Sequence, residues 1–153
     1  MVKSLIVYAS RHHKNTHKLV TGLAQQYSIT LYDADSGDDI DFDNFDLIGF
    51  ASGLDFGKFY PAVTDTAKKL PQGKTVYALY TCAKDNLQYG DEIKNIALQA
   101  GCGYAGKFGC KGYNTYGPLK LIGGMNKKHP DSEDIKKLCR FYGKILSTVE
   151  KQG

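Results

Sequence analysis

The chain has 153 residues, 42% hydrophobic and 24% charged, which suits one compact domain with a sizeable core and excludes a disordered chain. No apolar run approaches the roughly 20 residues that cross a bilayer, and Leu5–Ala9 is too short for a secretory signal. The net charge of +4 is unevenly laid down: seven of the sixteen carboxylates fall between Asp33 and Asp46, and none lies between Ile93 and Pro130. That asymmetry suits steering of an anionic ligand or an acidic partner, and equally a lysine-rich solvated surface.

In chain order, Lys3–Ala9 reads as a short strand buried on both faces, as parallel sheets require. A polar loop follows, and a helix from about Asn15 carries Leu19, Val20, Leu23, Ala24 and Tyr27 on one stripe. Ser28–Tyr32 is a second, shorter strand, and the acidic segment after it holds no long helix. Asp46–Ala51 is another buried strand. The next helix starts near Pro61, buries Val63, Ala67 and Leu70, and ends before Pro71 and Gly73. Thr75–Thr81 is β-rich. Leu87, Ile93, Ile96, Ala97 and Ala100 mark a helix stopped by Gly101, and Tyr104–Lys111 is the last strand. A final helix is capped by Asp131 or Ser132, and its stripe runs from Ile135 to Val149. No repeat or linker divides the chain, so residues 1–153 form one domain.

Strands alternating with helices imply a parallel sheet covered on both faces, with ligands beyond the carboxyl ends of its strands. Four loops stand there. Ser10–Thr16 runs into a helix start, where unpaired amides and the helix dipole favour an anion; Ser10, Asn15 and Thr16 add hydrogen-bonding groups, and Arg11 and Lys14 add charge. The alternative is a capped helix start with exposed basic residues. Three histidines crowd this loop, but no carboxylate or thiol lies near in sequence, so no metal site is expected. Ser52–Tyr60 combines Gly53 and Gly57 with Phe56, Phe59 and Tyr60, more aromatics than a turn needs and suited to a planar ligand. Thr81–Asn86 is small and polar. Lys111–Pro130 is a long segment without an obvious element, rich enough in Tyr, Leu and Ile to be an ordered binding loop or a wrap over the sheet edge.

The four cysteines, Cys82, Cys102, Cys110 and Cys139, show no zinc or disulfide spacing. Reduced thiols and a cytoplasmic location are the expectation. A phospho-acceptor receiver needs acidic residues where Ala9, Ser10 and Ala51 stand, and a Walker-type hydrolase needs a glycine-lysine loop that is missing.

The Asn15–Thr16 helix opening, the D-L-I-G-F-A-S-G-L-D-F-G-K run from Asp46 and the C-K-G-Y-N-T-Y-G-P-L-K-L-I-G-G-M-N-K run from Cys110 together resemble flavodoxins, in particular a short-chain bacterial subgroup. The resemblance extends from Ser4 to about Val149. It implies an α/β three-layer sandwich with a five-stranded parallel sheet of order 2-1-3-4-5 and flavin mononucleotide (FMN) at the switch point. By resemblance, Ser10, Asn15 and Thr16 hold the phosphate, with Arg11, His12 and Lys14 in the same turn. Ser52, Gly53, Leu54, Phe56 and Gly57 border the ring system. Thr81, Cys82 and Ala83 face its pyrimidine side, and Tyr113, Asn114 or Tyr116 lies by the ring or its ribityl chain.

Two features depart from the family pattern. Lys14 stands where many flavodoxins have glycine, in a turn two residues longer, and the chain is basic where flavodoxins are typically acidic. The implied function is electron transfer between redox partner proteins, such as a reductase, a ferredoxin-like protein or an oxidoreductase acceptor, with acidic partners favoured by the charge and no nucleic acid involved. Alternatives are an FMN-dependent NAD(P)H or quinone reductase and a flavin-free interaction module.

Overall fold

The computed structural model describes residues 1–114 and 121–153, without the side chain of His12. Its large sheet contains β1 (Ser4–Ala9), β2 (Thr30–Asp33), β3 (Leu47–Ser52), β6 (Thr75–Cys82) and β7 (Gly103–Lys111). A small hairpin, β4 (Leu54–Asp55) and β5 (Lys58–Phe59), stands apart from it. The large sheet is wholly parallel, with order β2-β1-β3-β6-β7, which is 2-1-3-4-5 when its own strands are counted. The expected fold class is therefore the observed one.

Alternation along the central strands builds two cores. Leu5, Val7 and Ala9 of β1 and Ile48 and Phe50 of β3 face α2 (Pro61–Ala67) and α3 (Asp91–Gln99), which contribute Val63, Ala67, Ile93 and Ala97. Ile6 of β1, Leu47 and Ala51 of β3 and Tyr77 and Leu79 of β6 face α1 (Asn15–Ala24) and α4 (Ser132–Gln152). Most of these side chains are fully buried. The Val, Leu, Ile and Phe side chains among them contribute about 1.5–3 kcal/mol each of transfer free energy, so the sandwich is held from both sides.

The α4 start matches expectation in detail. Asp131 accepts from the Asp134 amide at 3.0 Å, and Asp134 accepts from the Asp131 amide at 2.8 Å, a reciprocal capping box. His129 Nδ1 lies 2.7 Å from the Asp134 carboxylate, so this His–Asp–Asp group is engaged in securing the helix start.

Three elements differ from the sequence reading. Helix α3 begins at Asp91, not near Leu87, because Gly90 takes a left-handed conformation (φ 86°) and Asp91 and Glu92 sit at the positive helix end. Leu87 lies outside the helix and is exposed. Tyr27, taken as part of the α1 stripe, follows the helix and packs edge-on to Tyr142 at 4.8 Å. The Ser52–Tyr60 loop contains the β4–β5 hairpin, which turns at Phe56 (φ 49°) and Gly57 (φ 77°). Two successive positive φ values match the right-handed twist of a two-residue hairpin, and only the second is carried by glycine.

Candidate functional site

Beyond the carboxyl ends of β1, β3, β6 and β7 lies a cavity of about 660 Å³. That is a usual size for a cofactor site. Its two ends differ in chemistry.

One end is formed where β1 runs into α1. Ser10, Arg11, Asn15 and Thr16 line it, with Thr81 from β6 opposite. The α1 start is irregular. Lys14, its N-cap residue, has φ 55° and makes no side-chain cap bond. Ser10 replaces that cap: its Oγ accepts from the His17 amide at 3.0 Å, which leaves its own proton to donate. Thr16 and Thr81 Oγ atoms lie 3.2 Å apart, so their shared bond uses one of two hydroxyl protons and leaves the other. The first-turn amides of α1 have no acceptor within the helix. Asp55, on the hairpin after β3, is the one carboxylate among the described lining residues, and its charge reaches Arg11. Hydroxyl donors, helix amides and the dipole are groups that suit an anion.

The other end is glycine-rich and aromatic. Gly53, Leu54, Phe56, Gly57 and Tyr60 come from the loop after β3, Cys82, Ala83, Lys84 and Tyr89 from the loop after β6, and Gly112, Tyr113 and Asn114 from the chain after β7. Phe56 stands almost free at the hairpin tip, 94% exposed. Tyr89 packs edge-on to Tyr80 at 5.7 Å. A Cβ on Gly53 would come within 2.5 Å of the Tyr60 hydroxyl, so a side chain there would displace this wall. Burial first, then Asp85, raises the Cys82 thiol to about 12, so it stays protonated at neutral pH. Burial and Asp55 raise the Tyr60 hydroxyl as well. Neither group is a base or nucleophile in this state.

The structure gives several residues duties the sequence did not disclose. Asn15, expected to hold a phosphate through its side chain, instead grips the backbone of Tyr113: Nδ2 donates to the carbonyl at 2.8 Å and Oδ1 accepts from the amide at 3.1 Å. Together with the stacked rings of His13 and Tyr113, 4.0 Å between centroids, this pins the segment after β7 to the first loop. Asn126 Nδ2 donates to the Ala83 carbonyl at 2.9 Å and extends the fastening.

Arg11 does line the cavity, but its guanidinium pairs with Asp35 at 3.0 Å and lies over the Tyr60 ring at 4.5 Å. Its charge is thus partly neutralised. Lys14 is exposed and Ser52 fully buried, and neither lines the cavity. Ser52 Oγ accepts from the Tyr60 amide at 2.9 Å and donates to the Gly53 carbonyl at 2.5 Å, holding the base of the hairpin loop. Tyr116 and the side chain of His12 lie outside the described residues.

Asp55, Lys84, Tyr89 and Gly112 line the cavity without having been singled out. Tyr89 was legible: the G-D-E run at Gly90 marks a helix start and leaves this tyrosine in the preceding loop. Asp55, Lys84 and Gly112 had no such signal.

A strand order of 2-1-3-4-5 with a two-ended cavity at its carboxyl edge defines a flavodoxin-like α/β protein. Over 148 residues the chain is 37% identical to the uncharacterized protein MJ0298 of Methanocaldococcus jannaschii, covering 95% of this chain and 99% of that one. It belongs to the same family as that archaeal protein. No family model matches the chain.

Among solved structures, a short-chain flavodoxin associated with a non-canonical PDU bacterial microcompartment superposes with a TM-score of 0.68 at 16% identity, over 97% of this chain and 99% of that one. A lysine-to-glycine mutant of Fusobacterium nucleatum flavodoxin bound to flavin mononucleotide superposes with a TM-score of 0.57 at 13% identity, over 99% and 98%. At these identities the likeness is one of fold. No helix among the described residues is long and apolar enough to cross a membrane.

Proposed function

We propose that this chain binds FMN in the carboxyl-edge cavity and carries electrons between redox proteins. The observation that supports this most is the polarity of the cavity: helix amides and hydroxyls at one end, glycine and aromatic walls at the other. That donor set fits a phosphorylated planar ligand. FMN, when bound, supplies the redox chemistry, and the protein supplies binding, orientation and a local field.

Ser10 and the Thr16–Thr81 pair would donate to the phosphate. Leu54, Phe56, Tyr89 and Tyr113 would exclude water from the ring faces. The protonated Cys82 thiol and Tyr60 hydroxyl add no competing acid–base chemistry.

The test is titration of apoprotein with FMN and with riboflavin, read by quenching of flavin fluorescence. FMN should bind at least about tenfold more tightly, since a phosphate hydrogen bond to charge contributes roughly 1.5–3 kcal/mol. Free fluorescence and full loss of FMN on dialysis overturn the reading. Rapid turnover of NAD(P)H with a quinone by the loaded protein would instead assign the reductase activity.

A further inference from the structure

The rim of the cavity differs from the rest of the surface in two independent ways. Among the described residues, six large hydrophobic side chains stand well exposed, and four of them, Phe56, Leu87, Leu121 and Ile122, lie on the loops after β3, β6 and β7. Isolated exposed apolar residues are ordinary, but four on the loops at the carboxyl edge of the sheet, with Phe56 lining the cavity itself, mark a contact surface. Lys58, Lys84, Lys127 and Lys128 are exposed on the same loops, and Lys111 is exposed at the end of β7. Among the described residues only Lys58 of these has a carboxylate within 4.0 Å, and that one, Glu92, also accepts from the Phe59 amide.

Most acidic groups on these loops are already committed. Asp85 accepts from the Tyr80 hydroxyl at 2.6 Å and the Asn86 amide at 2.7 Å, while Asp131 and Asp134 form the α4 cap. Asp55 is the exception, an exposed carboxylate on the hairpin. Lys107 is not part of the rim charge, because its ammonium is spent on the Leu87 and Tyr89 carbonyls.

The acidic segment that begins at Asp33 leaves β2, the opposite edge strand of the sheet. The carboxyl edge of the sheet therefore carries carboxylates after β2 and exposed lysines after β3, β6 and β7. Resting on the electron-carrier reading, we infer that the β6–β7 side of the mouth docks an acidic one-electron redox protein, oriented away from β2. Apolar residues at the centre supply contact area, and the lysine rim supplies steering and orientation. In the docked pair the partner's reduced centre gives up one electron and the bound flavin gains it.

The test uses a strongly acidic ferredoxin as probe. Its binding to the protein, with and without FMN, is measured calorimetrically at low and moderate salt, and electron transfer to the loaded protein by stopped flow. One variant combines Lys58→Glu, Lys111→Glu, Lys127→Glu and Lys128→Glu. A control combines Lys3→Glu, Lys69→Glu, Lys144→Glu and Lys151→Glu. Each replacement changes the charge by two, so both variants turn +4 into −4, and only location differs.

The rim variant should weaken binding and slow transfer at least about tenfold, with the native rate falling as salt rises. The control should change either by less than about threefold. Equal losses in the two variants, or none, overturn the surface while leaving FMN binding intact. Rim-dependent binding to phosphatidylserine vesicles but not to ferredoxin overturns it in favour of a membrane. If the protein binds no FMN yet still docks ferredoxin through the rim, the flavin reading fails and the surface stands.

Discussion

Replacing Asn15 by alanine separates two roles that its position at the α1 start confounds. The side chain makes two hydrogen bonds to the Tyr113 backbone, at 2.8 and 3.1 Å. Each contributes about 0.5–1.5 kcal/mol net. The Tyr113 amide keeps a second acceptor, the His129 carbonyl at 3.0 Å, so the loss falls mainly on the carbonyl. The substitution should cost about 2 kcal/mol in urea unfolding, and at roughly 2–4 °C per kcal/mol for a chain of this size Tm should fall by about 4–8 °C.

Hydrogen exchange should locate the effect, with the Tyr113 and Asn114 amides opening faster while those of β1 do not. Asn15→Asp refines the test. Its carboxylate would face the Tyr113 carbonyl and break the pair, yet at the helix start it recovers about 0.3–1 kcal/mol from the dipole. It should therefore match or exceed the alanine variant in stability and fall below it in FMN affinity, because it places a negative charge at the anion end. A loss under about 0.5 kcal/mol for Asn15→Ala, with unchanged exchange at Tyr113, would refute the clamp.

Lys14→Gly should stabilise the protein by about 1 kcal/mol in urea unfolding, since a left-handed conformation at φ 55° costs a side-chain-bearing residue roughly 1–2 kcal/mol; Lys14→Ala should give no gain. Phe56→Gly should raise stability for the same reason, φ being 49°, while FMN affinity drops about three- to tenfold as an aromatic contact of about 0.5–1.5 kcal/mol is lost. Calorimetric Tm and flavin titration on one sample would show the two opposite signs. The Cys82 thiol, raised from 9.0 to about 12, should be alkylated by iodoacetamide at pH 8 about a thousandfold more slowly than a free cysteine. Because its folded-state pKa lies above the unfolded one, the stability it contributes is complete below pH 9 and is lost as pH rises from 9 towards 12. A thermal-shift series across that range should fall more steeply in the native protein than in Cys82→Ala.

The large-sheet strands and the four α-helices were legible because their signals are local. Continuous apolar runs such as Leu5–Ala9 and Leu47–Ala51 suit strands buried on both faces, and the Asp131 cap with the Ile135–Val149 stripe marks α4. The start of α3 was misplaced because Leu87 happens to fall in phase with the helical stripe. A period of 3.6 counts an apolar residue whether or not the chain there is helical. The hairpin escaped notice because its turn uses a left-handed phenylalanine, which composition does not advertise.

Hydrophobic period and turn residues act over a few neighbours, so the layers, the strand-end loops and the polar and aromatic groups they hold were readable along the chain. Tertiary structure alone decided how the polar side chains are spent. Asn15 and Tyr113 are 98 residues apart, Arg11 and Asp35 are 24 apart, and Thr16 and Thr81 are 65 apart. Hydrogen bonds are short and directional, so which donor meets which acceptor depends on strand order and crossover geometry.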